Sequence, residues 1–126
     1  KAWDKEKPSA KTRKIGQVPI CWDSDEQRAI KRAHDQFRWF AGGWAVNADL
    51  PTPAGFEGAS TFVRPEDVAK QIPCGPDLDA AVQEVQSFWE AGFTDVAIVQ
   101  VGDEGQAEFL DQAAKPLLQK LRRAAG

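Results

Sequence analysis

No apolar run in this chain approaches the roughly 20 residues that a membrane helix needs, and no signal-peptide apolar region stands near its first residue. The expectation is a protein outside the membrane, in the cytoplasm. Sulfur and imidazole are scarce as well: Cys21, Cys74 and His34 are all there is. Without a CxxC pair or a Cys/His cluster, metal chemistry has no donor set, and each cysteine reads as a buried, unlinked thiol. For His34 two readings stand. It is a structural histidine bonded to backbone, or a general base on a helix flank that lacks a nucleophile or carboxylate motif at recognisable spacing.

What is present fits one globular domain: 126 residues, 42% hydrophobic and 28% charged. The net charge of −3 hides an asymmetry, because residues 1–14 hold Lys1, Lys5, Lys7, Lys11, Arg13 and Lys14 against Asp4 and Glu6. No aromatic platform or binding motif follows this basic arm, so it reads as a solvated loop and no nucleic-acid partner is expected.

The stretch from Asp79 to Gly102 organises the chain. Ala81, Val82, Val85, Phe88 and Trp89 recur on one helix face, with Gln83, Glu84, Gln86 and Glu90 on the other. Gly92 sits where a left-handed C-cap needs a residue without Cβ, and Phe93 can fold back on the last turn, so the helix ends near Ala91. Val96 to Val101 barely alternates, which predicts a strand covered on both faces as in parallel sheets. At the start of this helix, free N–H groups near residues 77–80 either hold a phosphate or are satisfied by an aspartate cap, Asp77 or Asp79.

Gly16 to Trp22 predicts a short strand despite Pro19, which cannot donate to a ladder. Ser24 and Gln27 fit a capping box, opening a helix whose face is Ile30, Ala33, Phe37 and Ala41 and which ends near Phe40, before Gly42-Gly43. The aromatic group Phe37, Trp39, Phe40 and Trp44 either packs a core or interface or lines a planar ligand. Residues 42–62 show no sustained period and read as a lid or substrate-facing insertion. Pro65 opens a short helix that stops before Pro73. Phe109, Leu110, Ala113, Leu117 and Leu121 give a last helix kinked at Pro116.

Two central-type strands cannot cover three or four amphipathic helices, so absent sequence or a second chain must supply further strands. Four segments carry a resemblance: VPICWDSDEQRAIKRAHDQFRWF, FVRPEDVAKQIPCGPD, EAGFTDVAIVQVG and FLDQAAKPLLQKLR. Together they resemble the C-terminal third of the bacterial luciferase-like (monooxygenase) superfamily, specifically the deazaflavin-dependent oxidoreductases that include glucose-6-phosphate dehydrogenase relatives. The resemblance covers nearly all of residues 1–123. It implies an α/β fold, a TIM-type (β/α)8 barrel of which this chain is the C-terminal portion, present as a fragment or completed by a partner chain. Gln17–Trp22 would be strand seven, Asp95–Val101 strand eight, residues 42–73 an insertion between them, and Trp3 the end of an earlier helix.

The resemblance also implies hydride transfer between the 8-hydroxy-5-deazaflavin coenzyme F-420 and an organic substrate, with flavin mononucleotide the less favoured cofactor. The family's hydride-transfer residues and most of its coenzyme contacts lie outside this chain, so no catalytic residue is assigned. The implied cofactor-binding residues are at the strand ends: Cys21, Trp22, Gly75 and Gly102, acting through shape and backbone. Where relatives that oxidise glucose 6-phosphate place an arginine, this chain has Gln71, which lacks the bidentate charged grip on phosphate and argues against that substrate. The alternative is a non-catalytic binding or assembly module that homo-oligomerises through its apolar faces.

Overall fold

The computed structural model describes residues 12–43, 47–50 and 52–126. Trp3 and most of the basic arm, and Trp44 of the aromatic group, lie outside the described residues. Two strands, β1 (Ile15–Ile20) and β2 (Asp95–Gln100), pair in parallel, from Ile15 opposite Asp95 to Ile20 opposite Gln100. The first strand thus starts one residue before the expected Gly16, and its pairing with β2 ends at Ile20. Pro19 is harmless there. Val101 N–H donates to the Ile20 carbonyl, so Ile20 turns its backbone toward β2 and Pro19, one residue earlier, turns its nitrogen to the outer edge.

Alternation along β1 sends Gly16, Val18 and Ile20 to one face. There Val18 and Ile20 join Ala81, Val82 and Val85 of α4 (Leu78–Glu90), together with Phe109, Ala113, Leu117 and Leu121. Asp77 caps α4, its carboxylate accepting from Asp79 N–H at 2.9 Å. The other end is a Schellman motif: Phe93 N–H donates to Phe88 O, Gly92 N–H donates to Trp89 O, Gly92 has φ +91°, and the Phe88 and Phe93 rings sit 5.1 Å apart. Those rings close on Gly16, where an added Cβ would lie 2.3 Å from Phe88 Cδ1. Gly16→Ala is therefore expected to cost about 1–3 kcal/mol through overpacking, read as a lower urea midpoint at unchanged slope.

The opposite face corrects one expectation. β2 is not covered on both sides: Ala97 is exposed and Val96, Ile98 and Val99 are half-buried. The helix α4 and the C-terminal helix Ala114–Ala124 lie over one face, and among the described residues only the cap described below crosses the other, at the strand ends.

A second correction concerns the C-terminus. The expected single kinked helix is two, α5 (Gln106–Gln112) and α6 (Ala114–Ala124), broken at Ala113 because Pro116 has no N–H for the Gln112 carbonyl and its ring crowds that turn. Phe109, Ala113, Leu117 and Leu121 are buried as expected, but Leu110 points outward.

Between β1 and α4 the chain builds a cap. α1 (Glu26–Phe37) is capped by Asp25, not by the expected Ser24 box: Asp25 Oδ1 accepts from Gln27 N–H and Arg28 N–H. Asp23 drives this shift by taking the Asp25 N–H at 2.8 Å, which sets the turn one residue later. Ala29 replaces Ile30 on the buried face, beside the expected Ala33. A 3-10 turn (Arg38–Gly42) follows. Within the excursion expected to be irregular lies α2 (Pro53–Ala59), opened by a Thr52 cap and Pro53 at its first position. α3 (Pro65–Gln71) starts and stops as expected. Cap and strand ends share their own core: Cys21, Ala29, Ala33, Val68, Ile72 and Val101.

Candidate functional site

The C-terminal ends of the two parallel strands are where crevices form in open α/β sheets. The chain leaves β1 as Cys21-Trp22-Asp23, and continued alternation sends successive side chains to opposite layers. Cys21 enters the cap core with no exposed surface, while Trp22 turns to the other core and tilts against Phe109 at 6.4 Å. Backbone pairing of the two strands stops here, and a side chain takes over. The buried amide of Gln100 accepts from Trp22 N–H and donates to Trp22 O, each at 2.9 Å. Gln106 Nε2 in turn donates to Gln100 O and Gly102 O, at 2.8 and 2.6 Å, which fixes the loop leaving β2.

Asp23, 2% exposed, is the charged centre of this region. It accepts from Arg28 Nη2 at 2.6 Å, Arg32 Nη2 at 2.8 Å and Asp25 N–H. The Arg28 hydrogen bond, supported by Asp25 N–H and Arg32, holds its carboxyl far below the usual carboxylate range even though burial pushes the other way. Arg32 also places Nη1 4.0 Å from Cys21 Sγ. Burial raises the Cys21 thiol and pushes that of Cys74 up to about 12, so both are protonated at neutral pH. Both cysteines are free.

The four residues expected at the rim do come together at this end. Gly75 arrives because Cys74 pairs with Cys21, with Gly75 N–H donating to Cys21 O. Both glycines have positive φ, and each makes room for a side chain of this chain. A Cβ on Gly102 would lie 2.3 Å from Arg32 Cδ, and one on Gly75 would lie 3.1 Å from Glu26 Cγ. The cations nearby are paired: Arg28 and Arg32 with Asp23, Lys31 with Asp35. As they stand, these residues supply wall and backbone and no grip on a coenzyme phosphate.

His34 Nε2–H donates to Val63 O at 2.7 Å, the structural arrangement of the two weighed above. Phe37, Trp39 and Phe40 pack on one another, and Trp39 meets Phe56 edge-on at 5.9 Å. Both of these rings line each of two clefts. One, about 440 Å³, is lined by Trp39, Pro53, Phe56, Arg38 and Ser60; the other, about 510 Å³, by Trp39, Phe40, Asn47, Phe56 and Gln71. Gln71 donates to Ala41 O at 3.4 Å, tying α3 to the 3-10 turn. Sequence reasoning passed over Asp23, Arg32, Gln100 and Gln106 as site residues. For Phe56 a signal existed in Thr52-Pro53, an N-cap followed by proline. Among the described residues no cluster of three or more His, Cys, Asp or Glu could hold a metal ion, and no helix is long and apolar enough to cross a membrane.

No protein-family model matches the chain, and no curated protein matches it by sequence. Solved structures do. An F-420-dependent secondary alcohol dehydrogenase, in complex with an F-420–acetone adduct, superposes on 95% of this chain with a TM-score of 0.67 at 14% identity. The chain shares that fold. It spans 36% of that enzyme's length. At this identity the likeness concerns the backbone path alone.

Proposed function

We propose that this chain is the C-terminal portion of a luciferase-like (β/α)8 barrel in an F-420-dependent oxidoreductase, contributing strands seven and eight to a site where coenzyme and organic substrate exchange a hydride. The observation that carries this reading is the match of 95% of the backbone to such an enzyme. The uncovered face of β2, with Ala97 and Val99, supports it, because in a barrel that face would be the packed interior. When bound, the coenzyme supplies the hydride chemistry. This chain's part is to shape the rim. Cys21, Trp22, Gly75 and Gly102 form wall and backbone at the strand ends, the Asp23–Arg32 pair fixes that wall, and the cap excludes water from above it. A secondary alcohol is the first substrate to try, since the structural neighbour acts on one.

The test compares the 126-residue chain with the longer polypeptide encoded around it. The chain by itself is expected to leave F-420 unreduced in the presence of 2-propanol, whereas the complete barrel binds F-420 and quenches its fluorescence. A folded complete polypeptide with no affinity for F-420 would overturn the assignment. The open face of β2 also favours a second reading, a non-catalytic module that assembles with further copies or another chain. Absence of βα units in the neighbouring coding sequence would select it.

A further inference from the structure

Two thiols meet where the segment after α3 lies beside the end of β1. Cys21 N–H donates to Pro73 O at 2.8 Å and Gly75 N–H donates to Cys21 O at 3.0 Å, so Cys74 stands directly opposite Cys21 in a one-rung parallel pairing. Paired strands lie about 4.8 Å apart, within the roughly 4.4–6.8 Å Cα separation that a disulfide spans. Residues opposite one another also send their side chains to the same face. Here that face is the cap core: Cys21 is a member and Cys74 packs against it. Among the described residues the contacts of both sulfurs are long or weak, that from Arg32 Nη1 to Cys21 Sγ being 4.0 Å. Cys21 Sγ lies 3.8 Å from Val101 O and Cys74 Sγ lies 3.2 Å from Ile72 O, both weak thiol contacts. A single rung flanked by Gly75, with φ +102°, leaves the backbone free to adjust toward disulfide geometry.

We propose that Cys21 and Cys74 form a redox-responsive dithiol whose oxidation to a disulfide staples the cap to the end of β1. The oxidant is a peroxide. It meets half-buried Cys74 first, since Cys21 is enclosed, and because the Cys74 thiol is protonated at neutral pH the reaction is slow there and quickens as pH rises. Hydrogen peroxide takes two electrons from the Cys74 sulfur: an S–O bond forms, the O–O bond breaks, and the products are the Cys74 sulfenic acid and water. The Cys21 sulfur then attacks that of Cys74; the S–S bond forms, the S–O bond breaks, and the oxygen leaves as a second water, taking up the Cys21 proton. Two thiols and one peroxide give one disulfide and two waters. The covalent link holds residues 73–75 on β1, and with them the end of α3, which stops at Gln71.

The experiment treats the full reduced chain with hydrogen peroxide, alkylates the remaining thiols and maps the peptides. The expected result is one internal cross-link joining Cys21 to Cys74, loss of both alkylation sites, and a thermal midpoint that rises on oxidation and returns with dithiothreitol. Cys74→Ser, a change at a half-buried position, should fold, form no internal link and show no such rise. The proposal is overturned if Cys74 proceeds to the sulfinic acid while Cys21 stays alkylatable, if the only disulfides join separate chains, if neither thiol reacts, or if an internal link leaves the midpoint unchanged.

Discussion

Asp23→Ala is expected to destabilise the chain by about 3–5 kcal/mol, the cost of stranding a buried charge. With domain stabilities of about 5–15 kcal/mol, that is enough to unfold much of the population. The charge left behind is Arg32, whose side chain is 9% exposed. Arg28, 56% exposed, can rehydrate and contributes little to the loss. Asp23→Ala combined with Arg32→Leu should recover much of the loss, since it removes both charges from the buried pair. The same carboxylate sets an acid limit. Its pKa is depressed by folding, so its contribution is fully present above the unfolded value, about 3.9, and fades as pH falls from there toward the folded value. Urea midpoints of the parent and Asp23→Ala should therefore differ most above pH about 5 and converge in acid. A variant within about 1 kcal/mol of the parent at neutral pH, or a pH-independent gap, would refute this account.

The purified 126-residue chain is expected not to persist as a well-folded monomer. Ile15, Phe62, Leu110 and Leu118 are exposed, Phe62 at 93%, and among the described residues nothing covers the Ala97–Val99 face of β2 at its open end. Burying a side chain of Leu or Phe size contributes about 1.5–3 kcal/mol, so covering even a few of these rivals the net stability of a small domain. Among the described residues, both β1 and β2 also present unpaired outer edges along most of their length. Light scattering at micromolar concentration should give a mass well above 13.9 kDa, and Val99→Lys on the open face should lower it. A monodisperse, cooperatively folding monomer would show that these surfaces tolerate water.

What was legible in the sequence was local. Leu78–Glu90, Gly92, Phe93 and Asp95–Gln100 each announce themselves within a few residues, through helical spacing, a glycine stop and a β-branched run, and the structure follows them closely. The Asp25 cap was hidden because Ser24 and Gln27 also satisfy the rule, and the choice between them depends on Asp23 claiming the Asp25 N–H. The exposure of β2 was misread for a related reason: a β-branched run reports what a strand can bury, and what lies across it is decided elsewhere. At the site, the expected strand-end residues did converge, but the groups that fix them did not show. Gln100 reaches Trp22 across 78 positions, and Arg32 reaches Asp23 across nine, so no motif or helical period links either pair.

Cys21 and Trp22, adjacent in the chain, enter different cores, and this separates the two layers in time as well as in space. The cap core draws all but one of its buried members from residues 21–72, so most of it can close as soon as that stretch exists. The core around α4 needs Phe109, Ala113, Leu117 and Leu121 to return to Val18 and Ile20, and must wait for Leu121. Because closing long loops limits folding rate, the cap is expected to form first and β2 to join it through Val101 afterwards. The strand ends that form the candidate site are thus the seam along which a piece expected to fold early meets one expected to fold late.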